Sequence, residues 1–181
     1  MLLDTPICDF GWPAPDFTLA APDGAPHSMR EHLTDKGLLI AFICNHCPYV
    51  KAIADRLAAD ADALMAGGIG VLAVMSNDYH AYPADAPAKM SEFARAHGFA
   101  FPYLIDEDQS VARAYGAVCT PDFFGLDREG GLQYRGRLDD AKMGDARDRV
   151  PELLDAMHLI ATTGHGPKQQ TPSMGCSIKW R

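Results

Sequence analysis

The run Leu38-Leu39-Ile40-Ala41-Phe42-Ile43-Cys44-Asn45-His46-Cys47-Pro48-Tyr49-Val50-Lys51 decides how the rest of the chain is read. Its first half, Leu38 to Ile43, is continuously apolar and follows Gly37, the pattern of a short strand buried on both faces. Its second half opens a helix. Val50, Ile53, Ala54, Leu57, Ala58, Ala61, Leu64 and Met65 recur at steps of three and four and make one apolar stripe. Gly67-Gly68 then stops the helix, because glycine tolerates the left-handed conformation of helix ends.

Cys44-Asn45-His46-Cys47 stands at the junction. The first turn of a helix carries backbone N–H groups without partners, at the positive end of the macrodipole. Both effects favour a thiolate, and such settings lower a cysteine pKa from ~8.5 to roughly 3.5–7.5. Cys44 is therefore the expected nucleophile, and Cys47 the thiol that resolves a mixed disulfide. His46 can add positive charge beside the sulfurs and stabilise the reduced form. The expected pair is more oxidising than that of thioredoxin, at ~ −270 mV. The scheme needs sulfur atoms that solvent and reagents can reach.

Outward from this run, Ile69 to Met75 is a second buried strand, and Asn77 to Pro87 an irregular loop. Lys89 to His97 is a helix ended by Gly98, and Tyr103 to Ile105 a short strand. Asp106 with Gln109 has the form of a capping box for a helix running through Tyr115 to Gly116. Asp122 to Leu126 and Leu132 to Arg137 form a hairpin around Glu129-Gly130-Gly131. The last helix is expected from Arg147 to Thr162, with Val150, Leu153, Leu154, Met157 and Ile160 inward. Upstream, Pro13 to Leu19 is extended, and Asp23-Gly24 turns the chain back near His27 to Met29. Alternating strands and helices indicate an α/β fold with a central mixed sheet flanked by helices. A length of 181 residues suits one domain over 1–181, with an N-terminal β-hairpin extension over 1–36 and a C-terminal tail over 163–181.

The formal net charge is −8 and no basic block interrupts it, so no nucleic-acid partner is expected. The longest apolar run, Leu38 to Cys44, is too short to cross a bilayer, and no membrane partner is expected. Asp4 and the lack of Lys or Arg before Arg30 do not suit a secretory signal, so the expected location is cytoplasmic. Structural disulfides are rare there, and the five cysteines need another explanation. Zinc needs four ligands. The sequence has no second Cys-x-x-Cys and no paired histidines, so no metal ligands are assigned. Cys119 is read as a small buried hydrophobe, with an auxiliary thiol near Cys44 as the alternative. Cys176 is either a free cysteine, a resolving thiol on a tail that folds back, or the partner of Cys8. Arg135 and Arg137 are expected to be solvated, Trp12 and Trp180 to pack, and the loop of Tyr79, Tyr82 and Pro83 to cover the core, with the lining of a substrate groove as the alternative.

Ala14-Pro15-Asp16-Phe17-Thr18-Leu19, the Cys44–Cys47 run and Tyr115-Gly116-Ala117-Val118-Cys119-Thr120-Pro121-Asp122-Phe123-Phe124 together resemble the thioredoxin-like superfamily. The resemblance is closest to its redoxin branch, related to alkyl hydroperoxide reductase and thiol-specific antioxidant proteins. It implies a thiol–disulfide oxidoreductase without a cofactor, since the electrons reside in the sulfurs. The implied partners are a disulfide-containing protein or small thiol, with a thioredoxin or glutathione system as reductant. It also implies a cis Pro121 against the active cysteines, with Thr120 offering backbone groups to an extended substrate. Leu38 stands where thioredoxin has a buried aspartate, so the usual proton acceptor is missing. Cys47-Pro48 matches the peroxidatic Cys-Pro of peroxiredoxins. An alternative is thus a thiol peroxidase in which Cys47 meets peroxide and Cys44 resolves; a copper- or zinc-binding module is the non-catalytic one.

Overall fold

The computed structural model describes residues 1–181. Every residue of Leu38–Phe42 is buried, and alternate side chains enter different cores: Leu39 and Ala41 on one face, Leu38, Ile40 and Phe42 on the other. The elements run β1 (Leu2–Asp4), β2 (Thr18–Ala20), β3 (Pro26–Ser28), α1 (Met29–His32), β4 (Leu38–Phe42), α2 (Pro48–Ala66) and β5 (Gly70–Met75). A 3-10 turn (Pro83–Asp85) follows, then α3 (Pro87–His97), β6 (Tyr103–Ile105), α4 (Ser110–Tyr115), β7 (Cys119–Thr120), β8 (Asp122–Leu126), β9 (Leu132–Tyr134), α5 (Glu152–Thr163) and β10 (Met174–Ser177).

The main sheet has seven strands in the order β3-β2-β6-β5-β4-β8-β9. β4, β5 and β6 are parallel; β8 and β9 join antiparallel at one side, β2 and β3 at the other. Parallel neighbours need crossovers, and α2 supplies the one from β4 to β5. Its expected stripe is the buried one, from Val50 through Leu64. One core packs α2 and α5 against the sheet; the other packs Met29, Val111, Ala112 and Tyr115 against the opposite face. The N-terminal hairpin forms as expected, and β2 joins the sheet through the pairing of Ala20 with Ile105.

Four expectations are corrected. Asp106 and Gln109 make no capping box: Gln109 is itself the N-cap of α4, at φ 62°. The Asp106 carboxylate instead accepts the N–H groups of Val111 (3.2 Å) and Ala112 (2.8 Å). The last helix starts at Glu152, not Arg147, because Arg149 is held by Asp60 (2.5 and 2.8 Å) and Pro151 breaks the run. Val150 is accordingly exposed rather than inward. Arg135 is buried, not solvated; it binds Asp122 (2.9 and 3.3 Å) and the Gly116 carbonyl (2.8 Å). Arg137 pairs with Glu152 (2.7 and 2.9 Å). Finally, the tail contains β10, which lies between β1 and β7 in a second, three-stranded sheet.

Candidate redox site

Strand β4 ends at Phe42, and the chain reaches the first residue of α2, Pro48, with Cys47 as N-cap. Proline suits that position because its fixed φ fits the first turn, where its missing N–H is no loss. The positive end of α2 therefore meets Cys47. Cys44 sits one turn of chain earlier, and this departs from the expectation that the helix terminus activates Cys44. All five cysteines are free thiols.

Thr120 contacts both sulfurs. Its Oγ1 lies 3.3 Å from Cys44 Sγ, and its carbonyl accepts from the Cys47 thiol at 3.2 Å. The Thr120–Pro121 bond is cis, as the resemblance implies. The strand–helix junction and the Thr120–Pro121 turn are distant in sequence but adjacent here, because β4 and β8 are antiparallel neighbours with Phe42 opposite Asp122.

The two thiols are pushed in opposite directions. The Cys44–Cys47 hydrogen bond raises Cys44 most, then burial, then the negative charge of Asp85. The same bond from Cys44 lowers Cys47, burial opposes it, and contacts from Cys176 and the Val50 N–H add to the lowering. These influences favour a thiolate on Cys47 over one on Cys44; in the fully protonated pair Cys47 keeps the proton it donates to the Thr120 carbonyl.

Asp85 is the carboxylate that the sequence did not reveal. It is fully buried and accepts from the Asn45 N–H (2.8 Å), His46 Nδ1 (2.6 Å) and Asn77 Nδ2 (2.9 Å). Burial alone raises its pKa, but these three hydrogen bonds outweigh it and hold the group below its ordinary value. His46 is thereby turned to Asp85 and stacks on Tyr82, 5.7 Å between ring centroids. Asp85 belongs to a proline-rich loop and has no spacing relation to Cys44, so no local pattern could have singled it out. A Cys44 sulfur, a His46 ring nitrogen and an Asp85 oxygen lie within 4.8 Å of one another and form the one set suited to a metal ion. They supply three ligands where structural zinc takes four, and Asp85 is already committed to three donors.

Accessibility overturns the sequence expectation. Cys44 is 1% exposed and Cys47 0%. The cover is the C-terminal segment. β10 pairs with β7 in the register Cys176 opposite Thr120, so the backbone edge expected to present a substrate is already occupied. Lys179 continues the seal: its N–H donates to Asn77 Oδ1 (2.8 Å) and its carbonyl accepts from Gln109 Nε2 (2.8 Å). Cys176 is only half-buried and packs against the core that holds Cys44 and Cys47. Cys119 is buried, and burial pushes its thiol up to about 12. Cys8 packs in the other core, near Arg135 and Gln170, so it is no partner for Cys176. Beside Pro121 a cavity of about 270 Å³, lined by Tyr49, Phe123, Met143 and Met174 among others, leaves room for a small group.

The class these features define is a thioredoxin-like protein: a mixed sheet between helix layers, a dicysteine at the start of a long helix, and a cis-proline turn against it. The AhpC/TSA family model matches residues 10–135, more than half the chain, and the chain belongs to that family. An uncharacterized conserved protein from Geobacillus kaustophilus is 38% identical, with a TM-score of 0.93, covering 100% of this chain and 97% of that one. A hypothetical protein from Sinorhizobium meliloti 1021 is 40% identical, with a TM-score of 0.92, covering 98% of this chain and 97% of that one. A putative thiol:disulfide interchange protein DsbE from Chlorobium tepidum shares the fold at 20% identity and a TM-score of 0.63, covering 85% of this chain and 98% of that one. No curated protein matches. No helix is long and apolar enough to cross a membrane.

Proposed function

We propose that the protein is a thiol–disulfide oxidoreductase in which Cys44 and Cys47 alternate between a dithiol and a disulfide. The observation that carries this reading is the contact of one residue, Thr120, with both sulfurs at 3.2–3.3 Å, beside the N-terminus of α2. Cys47 supplies the thiolate; Cys44 holds the proton and closes the disulfide; Asp85 orients His46 and sets the charge beside Cys44. The electrons pass to a protein disulfide or to the disulfide of a small thiol, and a thioredoxin or glutathione system restores them.

The test is equilibration with glutathione buffers, read by mass spectrometry of alkylated peptides. Wild type forms a Cys44–Cys47 disulfide, and Cys44→Ser and Cys47→Ser each abolish that bond. A potential at or below ~ −270 mV overturns the part assigned to His46. Stoichiometric copper or zinc in the purified protein, lost with either cysteine, overturns the whole reading.

One observation favours a peroxidase as the second reading. Cys47, the position that matches a peroxidatic cysteine, is the N-cap of α2 and meets the positive end of that helix. Rapid consumption of hydrogen peroxide that survives Cys44→Ser but not Cys47→Ser would establish it.

A further inference from the structure

A pair that exchanges electrons with other molecules has to be reached, and neither sulfur is. Cys44 and Cys47 are 1% and 0% exposed, whereas Cys176 is only half-buried. Cys176 lies opposite Thr120 in the β10–β7 ladder, and the Thr120 carbonyl is 3.2 Å from Cys47 Sγ. Its side chain packs against the core that holds Cys47, near enough to help lower the Cys47 thiol. From the same register, β10 takes the place along Thr120 that an extended substrate would use.

We propose that Cys176 is a third redox thiol, the relay through which the buried pair exchanges with disulfides and thiols outside. The proposal rests on the oxidoreductase reading and deepens it. In the reducing direction, the Cys176 sulfur attacks an external small disulfide, RSSR. A Cys176–SR bond forms, the RS–SR bond breaks, and the first RSH leaves with the Cys176 proton. The Cys47 thiolate then attacks the Cys176 sulfur; a Cys47–Cys176 bond forms and the second RS⁻ departs. Cys44 gives up its proton and attacks Cys47. The Cys44–Cys47 bond closes and Cys176 leaves, keeping that proton. Two electrons have moved from the pair to RSSR, and Cys176 is a thiol again. Run backwards, the same steps oxidise small thiols. Burial and the neighbouring Cys47 raise the Cys176 thiol, with Lys179 and the Met1 ammonium opposing them, so Cys176 enters the first step with its proton and passes it to the departing RSH.

The middle step predicts a bond that nothing else in the fold requires. With oxidised glutathione as the probe, Cys44→Ser is expected to accumulate a Cys47–Cys176 disulfide and release two glutathione thiols per chain. Cys176→Ser is expected to reach the same Cys44–Cys47 end point as wild type, but at least tenfold more slowly. Oxidation of Cys176→Ser at the wild-type rate overturns the relay. So does a Cys44→Ser protein that stops at a Cys176–glutathione mixed disulfide. Failure of wild type to join Cys44 to Cys47 at all overturns the oxidoreductase reading itself, and the relay with it, so the two failures are distinguishable.

Discussion

Asp85 shows how one side chain can organise chemistry contributed by residues far from it in sequence. It holds the Asn45 amide, the His46 ring and the Asn77 amide, and its charge raises Cys44. Asp85→Asn keeps the shape and removes the charge. The expected results are a lower Cys44 pKa, measured by the pH dependence of thiolate absorbance, and a stability loss of about 1–3 kcal/mol from disrupted buried hydrogen bonds. The pH dependence has a definite sign. The folded-state pKa of Asp85 lies below its unfolded value, so its contribution is fully present above the ordinary carboxylate range and is lost as pH falls through the folded pKa. Urea unfolding at pH 7 and pH 3 should therefore show the variant's deficit at the higher pH and a smaller one at the lower. At this scale a dicysteine before an apolar stripe is a local pattern, and it made Cys44, His46 and Cys47 candidates; Thr120 and Pro121 became candidates only through the family resemblance. The sequence did not disclose Asp85, whose role exists only where the Pro83–Asp85 turn meets the start of α2.

Among the elements, β10 is the one whose role the sequence concealed. A four-residue strand in a polar, glycine-containing tail has no periodicity to read. It forms because β1 and β7 leave a gap between them that needs backbone partners. Gly175 makes the fit possible: a Cβ there would lie 1.9 Å from the Thr120 carbonyl oxygen. Gly175→Ala is expected to lift β10 from β7 and raise the iodoacetamide alkylation rate of Cys47 severalfold in the native protein. Unchanged protection would mean that β10 is not the cover. The hairpin of β8 and β9 is pinned differently, by Arg135 over the Phe124 ring and against Asp122. Alternation along a strand suggested solvent for Arg135, but Cys8 and the N-terminal segment lie over that face and bury it.

At the scale of the whole molecule, the Asp122–Arg135 ion pair is buried on the sheet face that holds Phe124. Burial raises Asp122 to about 6, although the Arg135 guanidinium opposes this. A carboxyl whose folded pKa exceeds its unfolded one keeps its proton longer in the folded state. Its contribution to stability therefore falls as pH rises from about 4 to about 6 and is constant above that. Arg135→Met leaves the carboxylate buried without its cation, and the expected loss is about 3–5 kcal/mol at pH 8. The loss should shrink at pH 4.5, where Asp122 is protonated; thermal unfolding at the two pH values checks it. An equal loss at both would assign the effect to packing of the Arg135 side chain instead.

The sequence by itself determined the class of fold and the position of its dicysteine. Apolar runs of strand length and a stripe at helical spacing are short-range patterns, and local sterics and burial enforce them wherever they occur. Only the tertiary structure decided which carboxylate stands beside the pair, and that the C-terminal strand packs along Thr120 and against the core that holds Cys47. Those outcomes depend on residues forty to more than a hundred positions apart coming together, through sheet pairing and buried charge that no stretch of sequence contains.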